Sequence, residues 1–159
     1  MEQLTQKRLQ ELFTYEADTG IFIRKSTRKP VGNIHNGYVR VGIDYKEYRA
    51  HRLVYLYKTG EFPAAIVDHI NHCKTDNRWS NLRVVSHQEN CKNMSLYKTN
   101  RSGSVGIYFH SRDKIWTACI YVDGKKKHLG CFSNKDDAID ARTQANIVHR
   151  YHLNHGKAA

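Results

Sequence analysis

Asp68, His69, Asn81 and Asn90 fall within one stretch, Ile66–Asn93, which reads IVDHINHCKTDNRWSNLRVVSHQENCKN. Side chains of these types can together hydrolyse a phosphodiester. A neutral histidine has a pKa suited to taking a proton from the attacking water. A carboxylate and an amide oxygen are hard donors for a divalent cation, and such a cation neutralises the charge that develops on the phosphorane and leaving oxygens. Asp68 and Asn90 are the candidates for those ligands, and His69 for the base. The base must also present the correct ring nitrogen, so a second group should hold the other one; Asn81 is the candidate. Taken singly, an Asp-His pair at a strand end is most often structural and an asparagine most often a turn residue. Their order and spacing in one unit carry the signal.

The unit expected to position them is strand, loop, strand, helix. Pro63 forces an extended entry into Ile66-Val67-Asp68-His69, residues 71–80 form a polar loop, and Leu82 to Val85 make a second short strand. Ser86-His87-Gln88-Glu89 has the capping-box pattern, so a helix is predicted from Ser86 to about Met94. Upstream, residues 5–13 predict a helix with Leu9, Leu12 and Phe13 on one face. A turn over Tyr15–Gly20, a strand at Ile21-Phe22-Ile23 and a loop over 26–37 follow. Tyr38–Ile43 and Glu47–Ala50 predict a hairpin, and His51–Thr59 a helix ended by Gly60. Within this frame His51 is expected to pack or cap beside the site, and Asp76 and Asn77 to form turns. Arg78 is a candidate phosphate ligand. Arg83 alternates away from Leu82 and Val84 and would face DNA or water. His72 and Cys73 have no second Cys or His pair at matching spacing, so no structural zinc site is expected.

At these residues the chain resembles the HNH endonucleases, especially the phage and intron homing type, whose ββα-metal fold has the order just described. The resemblance extends over about residues 8–94, through LFTYEADTGIFIRK and YRAHRLVYLYKTGEFP, and is most specific in DHINHCKTDNRWSNLRVVSHQEN. It implies that His69 is the general base, that Asp68 and Asn90 bind one metal ion, Mg²⁺ or Mn²⁺, and that Asn81 positions His69. It also implies products with 5′-phosphate and 3′-hydroxyl ends. Many members carry histidine where this chain has Asn90; asparagine is common there in the homing branch.

A second module follows. Residues 96–103 are expected to be a linker, dividing a nuclease domain over 1–95 (its ββα core at about 64–94) from a domain over 104–155. Gly106–His110, Trp116–Val122 and Lys126–Phe132 predict three strands, with Asp123-Gly124 as a hairpin turn. A helix capped by Ser133-Asn134-Lys135-Asp136 carries a stripe of Ala138, Ala141, Ala145 and Val148. Strand parity turns Ile107, Phe109, Trp116, Ala118, Ile120 and Leu129 towards that helix. It turns Tyr108, His110, Thr117, Cys119, Tyr121, Lys126 and His128 away, giving an aromatic and basic face suited to a DNA groove. This half resembles the AP2/ERF DNA-binding domain in Gly106-Ile107, Trp116-Thr117-Ala118, Leu129-Gly130-Cys131-Phe132 and Ala138. That resemblance implies DNA contacts by Tyr108, His110, Arg112, Tyr121, Lys126 and His128. The whole is therefore expected to be an α+β protein: a ββα-metal nuclease domain, then a three-stranded antiparallel sheet packed on one helix.

Composition agrees with a polyanionic partner. The 159 residues carry 26 Lys+Arg against 15 Asp+Glu, a formal charge of +11. Residues 1–95 contribute +5 (15 against 10) and residues 96–159 contribute +6 (11 against 5), so both halves could touch one nucleic acid. No run approaches the ~20 apolar residues of a membrane span. The opening MEQLTQKRLQELF is polar and amphipathic rather than a secretory signal. Cys73, Cys91, Cys119 and Cys131 form no CxxC pair and are expected as free thiols, the last three small and at least half-buried, in a reducing cytoplasm. The expected partner is double-stranded DNA, engaged by a monomer or weak dimer. The resemblance points to a phage or mobile element in a bacterial host. Two alternatives stay open: a catalytically inactive DNA-binding regulator on the same scaffold, and a nucleic-acid packaging protein.

Overall fold

The computed structural model describes residues 4–157, so the first three residues of the polar opening segment, and residues 158–159, lie outside it. The chain is mixed α+β and divides into two compact units, Met1–His87 and Gln88–Ala159.

In the first unit, α1 (Gln6–Leu12) is capped by Thr5, whose hydroxyl accepts from the Arg8 amide at 3.2 Å. The chain then forms β1 (Phe13–Glu16) and β2 (Ile21–Arg24), joined by a turn ending at Gly20, with β3 (Lys29–Val31) on the far edge of β2. A second three-stranded sheet has β5 (Tyr38–Ile43) between β4 (Asn33–His35) and β6 (Lys46–Arg49). The stretch 26–37, expected as loop, thus supplies two edge strands. Pro30 is compatible with β3 because that strand pairs on one side only. Asp44 and Tyr45 at the β5–β6 turn both have positive φ, the tight twist a two-residue hairpin requires. Asp44 is held there by two 3.0 Å bonds from Arg8.

Helix α2 (Ala50–Thr59) follows, with Gly60 left-handed at its C-cap as expected. Its buried face, Leu53, Val54 and Leu56, joins Leu9, Phe13, Phe22 and Val41 in one core. Burial of each such side chain is worth roughly 1.5–3 kcal/mol. β7 (Ile66–His69) and β8 (Leu82–Val85) pair antiparallel, and Val67 and Leu82 enter the same core. A 3-10 turn, Trp79–Asn81, leads into β8.

α3 (His87–Cys91) is five residues long, shorter than the helix expected to Met94. Residues 88–95, read from the sequence with the first domain, pack in the second unit. The physical reason is backbone pairing with the C-terminal tail. Lys92 C=O accepts from His152 N–H, Met94 C=O from Gly156 N–H, and Leu96 N–H donates to Lys157 C=O.

The second unit is built on a sheet in which β10 (Ile115–Val122) lies between β9 (Ile107–His110) and β11 (Lys125–Phe132). It packs against α4 (Lys135–Val148) through Ile107, Ala118 and Ala138. Four expectations need correction. The cap of α4 is Asn134, whose side chain accepts from the Asp136 amide, one residue later than the serine box suggested. Val148 is 72% exposed, and α4 buries Arg142 beside Ala138 instead; the Arg142 guanidinium donates to Cys119 C=O and lies against Tyr151. Cys119 is buried rather than outward, because the pairing of β10 with β11 shifts register between Ala118 and Cys119. Such a bulge breaks strict alternation of faces. Cys131, expected at least half-buried, is exposed. Among the described residues no helix is long and apolar enough to cross a membrane.

Candidate active site

β7 delivers Asp68 and His69 at its C-terminal end, where alternation sets His69 inward, 5% exposed, and leaves Asp68 half-buried. The loop from Ile70 to Asn81 then folds on itself around asparagine side chains. Asn81 Oδ1 accepts from the Asn71 amide at 3.0 Å, Asn81 Nδ2 donates to Asp76 C=O at 2.9 Å, and Asn81 C=O accepts from Ile70 N–H at 2.9 Å. Asn71 Nδ2 donates to Asp76 Oδ2 at 2.7 Å, and Asp76 in turn takes both arms of Arg78, at 2.8 and 2.6 Å. The Arg78 guanidinium holds the Asp76 carboxyl down at about 2.

The amide facing the His69 ring is that of Asn77, not Asn81. Asn77 Oδ1 lies 3.4 Å from His69 Nε2, and Asn77 is 2% exposed. Asn77, expected only as a turn former, is thus a direct neighbour of the base. Asn81 acts on His69 through the backbone, by fixing the residue that follows it. No pattern in the sequence distinguishes Asn77 from the other polar residues of this loop; its burial is visible only in three dimensions. Two upstream elements close over it: Tyr15 Oη donates to Asn77 C=O at 2.8 Å, and Gly20 lies against the backbone of Asn77 and Arg78.

His69 is also framed by rings. His51, in the first turn of α2, meets it edge-to-face with centroids 5.0 Å apart, and Tyr38 of β5 stands 5.4 Å from His51 and 6.1 Å from His69. His51 is 4% exposed, and its Nδ1 has no hydrogen-bond partner among the described residues. Burial, then the neighbouring His69, Arg49 and Arg52, push His51 down to about 3, so it is neutral under working conditions. The expectation that His51 packs beside the site agrees with this placement. Burial likewise lowers His69, against the opposing pull of Asn77 and Asp68. Two cations flank Tyr38: the Arg49 guanidinium at 4.8 Å and the Lys74 ammonium at 5.0 Å from the ring centre. Neither was singled out from the sequence.

Arg83 pairs across from Asp68 in the β7–β8 ladder. Its Nε and Nη2 both donate to Asp68 Oδ2, at 3.0 and 2.8 Å, and neither of these bonds uses Oδ1. Arg83, expected to face DNA or water, holds the carboxylate instead. Asn90 is half-buried on α3, in the second unit.

Among the described residues no three His, Cys, Asp or Glu side chains converge as a metal cage. The donor set offered by Asp68 is one carboxylate beside an imidazole. That suits a hard cation which keeps several of its own waters and binds through one or two protein oxygens.

In the second unit, Tyr108 lies opposite Thr117 and Thr117 opposite Cys131, while Tyr121 lies opposite Lys126. The Lys126 ammonium sits 5.1 Å from the Tyr108 ring centre, and Cys131 Sγ lies 3.7 Å from His128 Nε2. Tyr108, Tyr121, Lys126 and His128 are exposed together on the sheet. His110 is exposed at the end of β9, and Arg112, its side chain 90% exposed, is paired with Asp113 in the following turn.

Residues 48–92, which include Asp68, His69, Asn81 and Asn90, match the protein family described as HNH endonuclease. The second unit beyond Lys92 lies outside that match. A solved structure titled "DNA binding and cleavage by the HNH homing endonuclease I-HmuI" aligns with 99% of this chain and 94% of its own, at 22% identity and a TM-score of 0.47. No curated protein matches the chain.

Proposed function

We propose that this chain is a metal-dependent DNA endonuclease of the homing HNH type that nicks double-stranded DNA. The observation that carries the reading is the buried imidazole of His69, set beside Asp68 at the end of β7 and fixed by Asn77 within a segment of HNH type.

With the Asn77 oxygen facing Nε2, the fitting neutral tautomer carries its proton on Nε2 and its lone pair on Nδ1. Nδ1 then takes a proton from a water molecule as that water attacks phosphorus and the 3′ oxygen departs. Asn77 Oδ1 stays hydrogen-bonded to Nε2–H and favours the imidazolium that results. Burial keeps His69 unprotonated, and therefore competent, in the resting enzyme. Asp68 would hold one Mg²⁺ or Mn²⁺, the ion for which the sequence also offers Asn90. When bound, that ion supplies positive charge against the developing phosphorane and the leaving oxygen. Arg83 orients Asp68 by anchoring Oδ2. Asn81 holds the loop that carries both sides of the site, and Arg78 at its rim contributes positive charge near the phosphates.

The second unit reads the duplex through its sheet, using Tyr108, His110, Arg112, Tyr121, Lys126 and His128, as AP2-like domains do. One site of this kind among the described residues supports a single-strand cut by a monomer. A plasmid nicking assay tests the reading. Wild type with Mg²⁺ should relax supercoiled circles and chelator should abolish this. His69→Ala should lose at least ~100-fold in rate, the lower end of what a general base contributes, while still binding DNA. If His69→Ala cuts as fast as wild type, His69 is not the base.

A further inference from the structure

We infer that the second unit carries a groove for unpaired nucleotides of a DNA strand, at the edge of its sheet and sharing Tyr108 with the exposed face. The groove lies between the loop at residues 99–102 and the edge strand β9, with a volume of about 650 Å³. Thr99, Asn100, Arg101 and Ser102 form one wall, and Phe109 and Trp116 are among the residues of the other. Phe109 was expected to turn towards α4, and it does lie opposite Trp116 on that side of the sheet, yet it is 50% exposed. The two rings are 4.8 Å apart, and the Lys135 ammonium sits 5.6 Å from the Trp116 ring centre.

Three observations select the occupant. The first is that the apolar surface is aromatic, with two ring faces on which bases of any sequence can stack. The second is charge: Arg101 lines the groove, Lys135 stands at Trp116, and no lining residue is an acid. A chain of charge +11 repels a second copy of itself and attracts a polyanion. The third is preorganisation. Asn100 Oδ1 accepts from Gly103 N–H at 2.7 Å and from Ser102 Oγ at 3.0 Å, and Asn100 Nδ2 donates to Ser104 C=O at 3.1 Å. The polar wall is therefore set before any ligand arrives, which lowers the ordering cost of binding. Paired bases cannot present their faces, so the ring pair selects a strand that is unpaired.

This goes beyond the cleavage reading and does not depend on it. The test is fluorescence anisotropy with full-length protein, a labelled twelve-residue oligothymidylate and a labelled duplex of the same length. Phe109→Ala should weaken oligothymidylate binding about ten-fold, within the range measured for loss of a stacked base. Duplex affinity and plasmid nicking should stay within two-fold. Arg101→Ala, a loop change with no ring to lose, should reduce the salt slope for oligothymidylate by about 0.7. Unchanged oligothymidylate affinity and slope in both variants would overturn the proposal. So would equal losses on single strand and duplex, or a change of oligomeric state in Phe109→Ala with oligothymidylate binding intact, which would identify the groove as a self-association surface. Absence of nicking by wild type would sink the cleavage reading and leave this one standing.

Discussion

At the scale of single residues, the asparagines of the 70–81 loop divide the work. Asn77 faces the His69 ring, whereas Asn81 fixes the chain around it. The two should therefore fail differently. Asn77→Ala is expected to lower the nicking rate about 10–100-fold, as loss of a ligand-orienting partner does, and also to leave Thr75 C=O without its donor. Asn81→Ala leaves the Asn71 N–H and the Asp76 carbonyl without their partner, at about 1–3 kcal/mol each, and should shift the urea midpoint before anything else. Equal losses of nicking rate in the two variants would show that the division is false. Asp76 supplies a pH signature in the same loop. Arg78 holds it at about 2, below an unfolded carboxylate at about 3.9. Its contribution is therefore present above the unfolded value and is lost as pH falls towards 2. Arg78 is about half exposed, so water screens the pair and its contribution is small. Asp76→Asn should be slightly less stable than wild type at neutral pH, and the gap should narrow from about pH 4 and close as pH falls through 2. A gap that stays constant down to pH 2 would remove the ion pair as its cause.

At the scale of elements, the legible parts of the sequence were those whose signal is local. β7, α2 with its Gly60 cap and the Asp123-Gly124 hairpin follow from alternation, helical spacing and turn chemistry within a few residues. The order of Asp68, His69, Asn81 and Asn90 was legible for the same reason. What was not legible depends on partners far along the chain. β3 and β4 are short, polar and strand-forming only because β2 and β5 offer them an edge. Residues 92–94 read as the end of a helix and Leu96 as linker, yet the tail at 152–157 pairs with them. The burial of Arg142 reverses the usual expectation for a charged residue, and only the shifted register at Cys119 gives it a carbonyl to bind. The first hairpin gives the sharpest test of such a distant dependence. Gly20 has φ +75°, and a Cβ there would strike the backbone of Asn77 and Arg78. Gly20→Ala should therefore destabilise the first unit by about 2–4 kcal/mol, combining left-handed strain with a clash that neither backbone can relieve cheaply. It should also slow nicking, although Gly20 is remote in sequence from His69. Thermal unfolding and a nicking assay on the same preparation check both, and a variant as stable and active as wild type would show that the β1–β2 turn does not support the loop.

At the scale of the whole molecule, charge is shared by two units for which different tasks are proposed. The unit Met1–His87 carries 14 Lys+Arg against 9 Asp+Glu, and Gln88–Ala159 carries 12 against 6, so each is a net cation of similar size. In the first unit, Arg78 and Arg83 are already committed to Asp76 and Asp68, and Arg8 to Asp44. In the second, Lys126 stands over Tyr108 on the exposed sheet, where an ammonium can release counterions from a phosphate while the ring meets a base or sugar. The proposed division of labour then has a thermodynamic signature. Lys126→Ala should weaken duplex binding on every sequence and reduce the slope of log K against log salt by about 0.9, one phosphate's worth. Tyr121→Ala should weaken binding with the slope unchanged, because an uncharged ring releases no ions. Arg83→Gln should leave duplex affinity and slope close to wild type but lower the nicking rate, since its fork serves Asp68 rather than the duplex. Titrations of labelled duplex at four or more salt concentrations separate these cases. If Arg83→Gln instead lost one unit of slope while Lys126→Ala lost none, the phosphate contacts would belong to the first unit, and the sheet of the second would have to be reassigned.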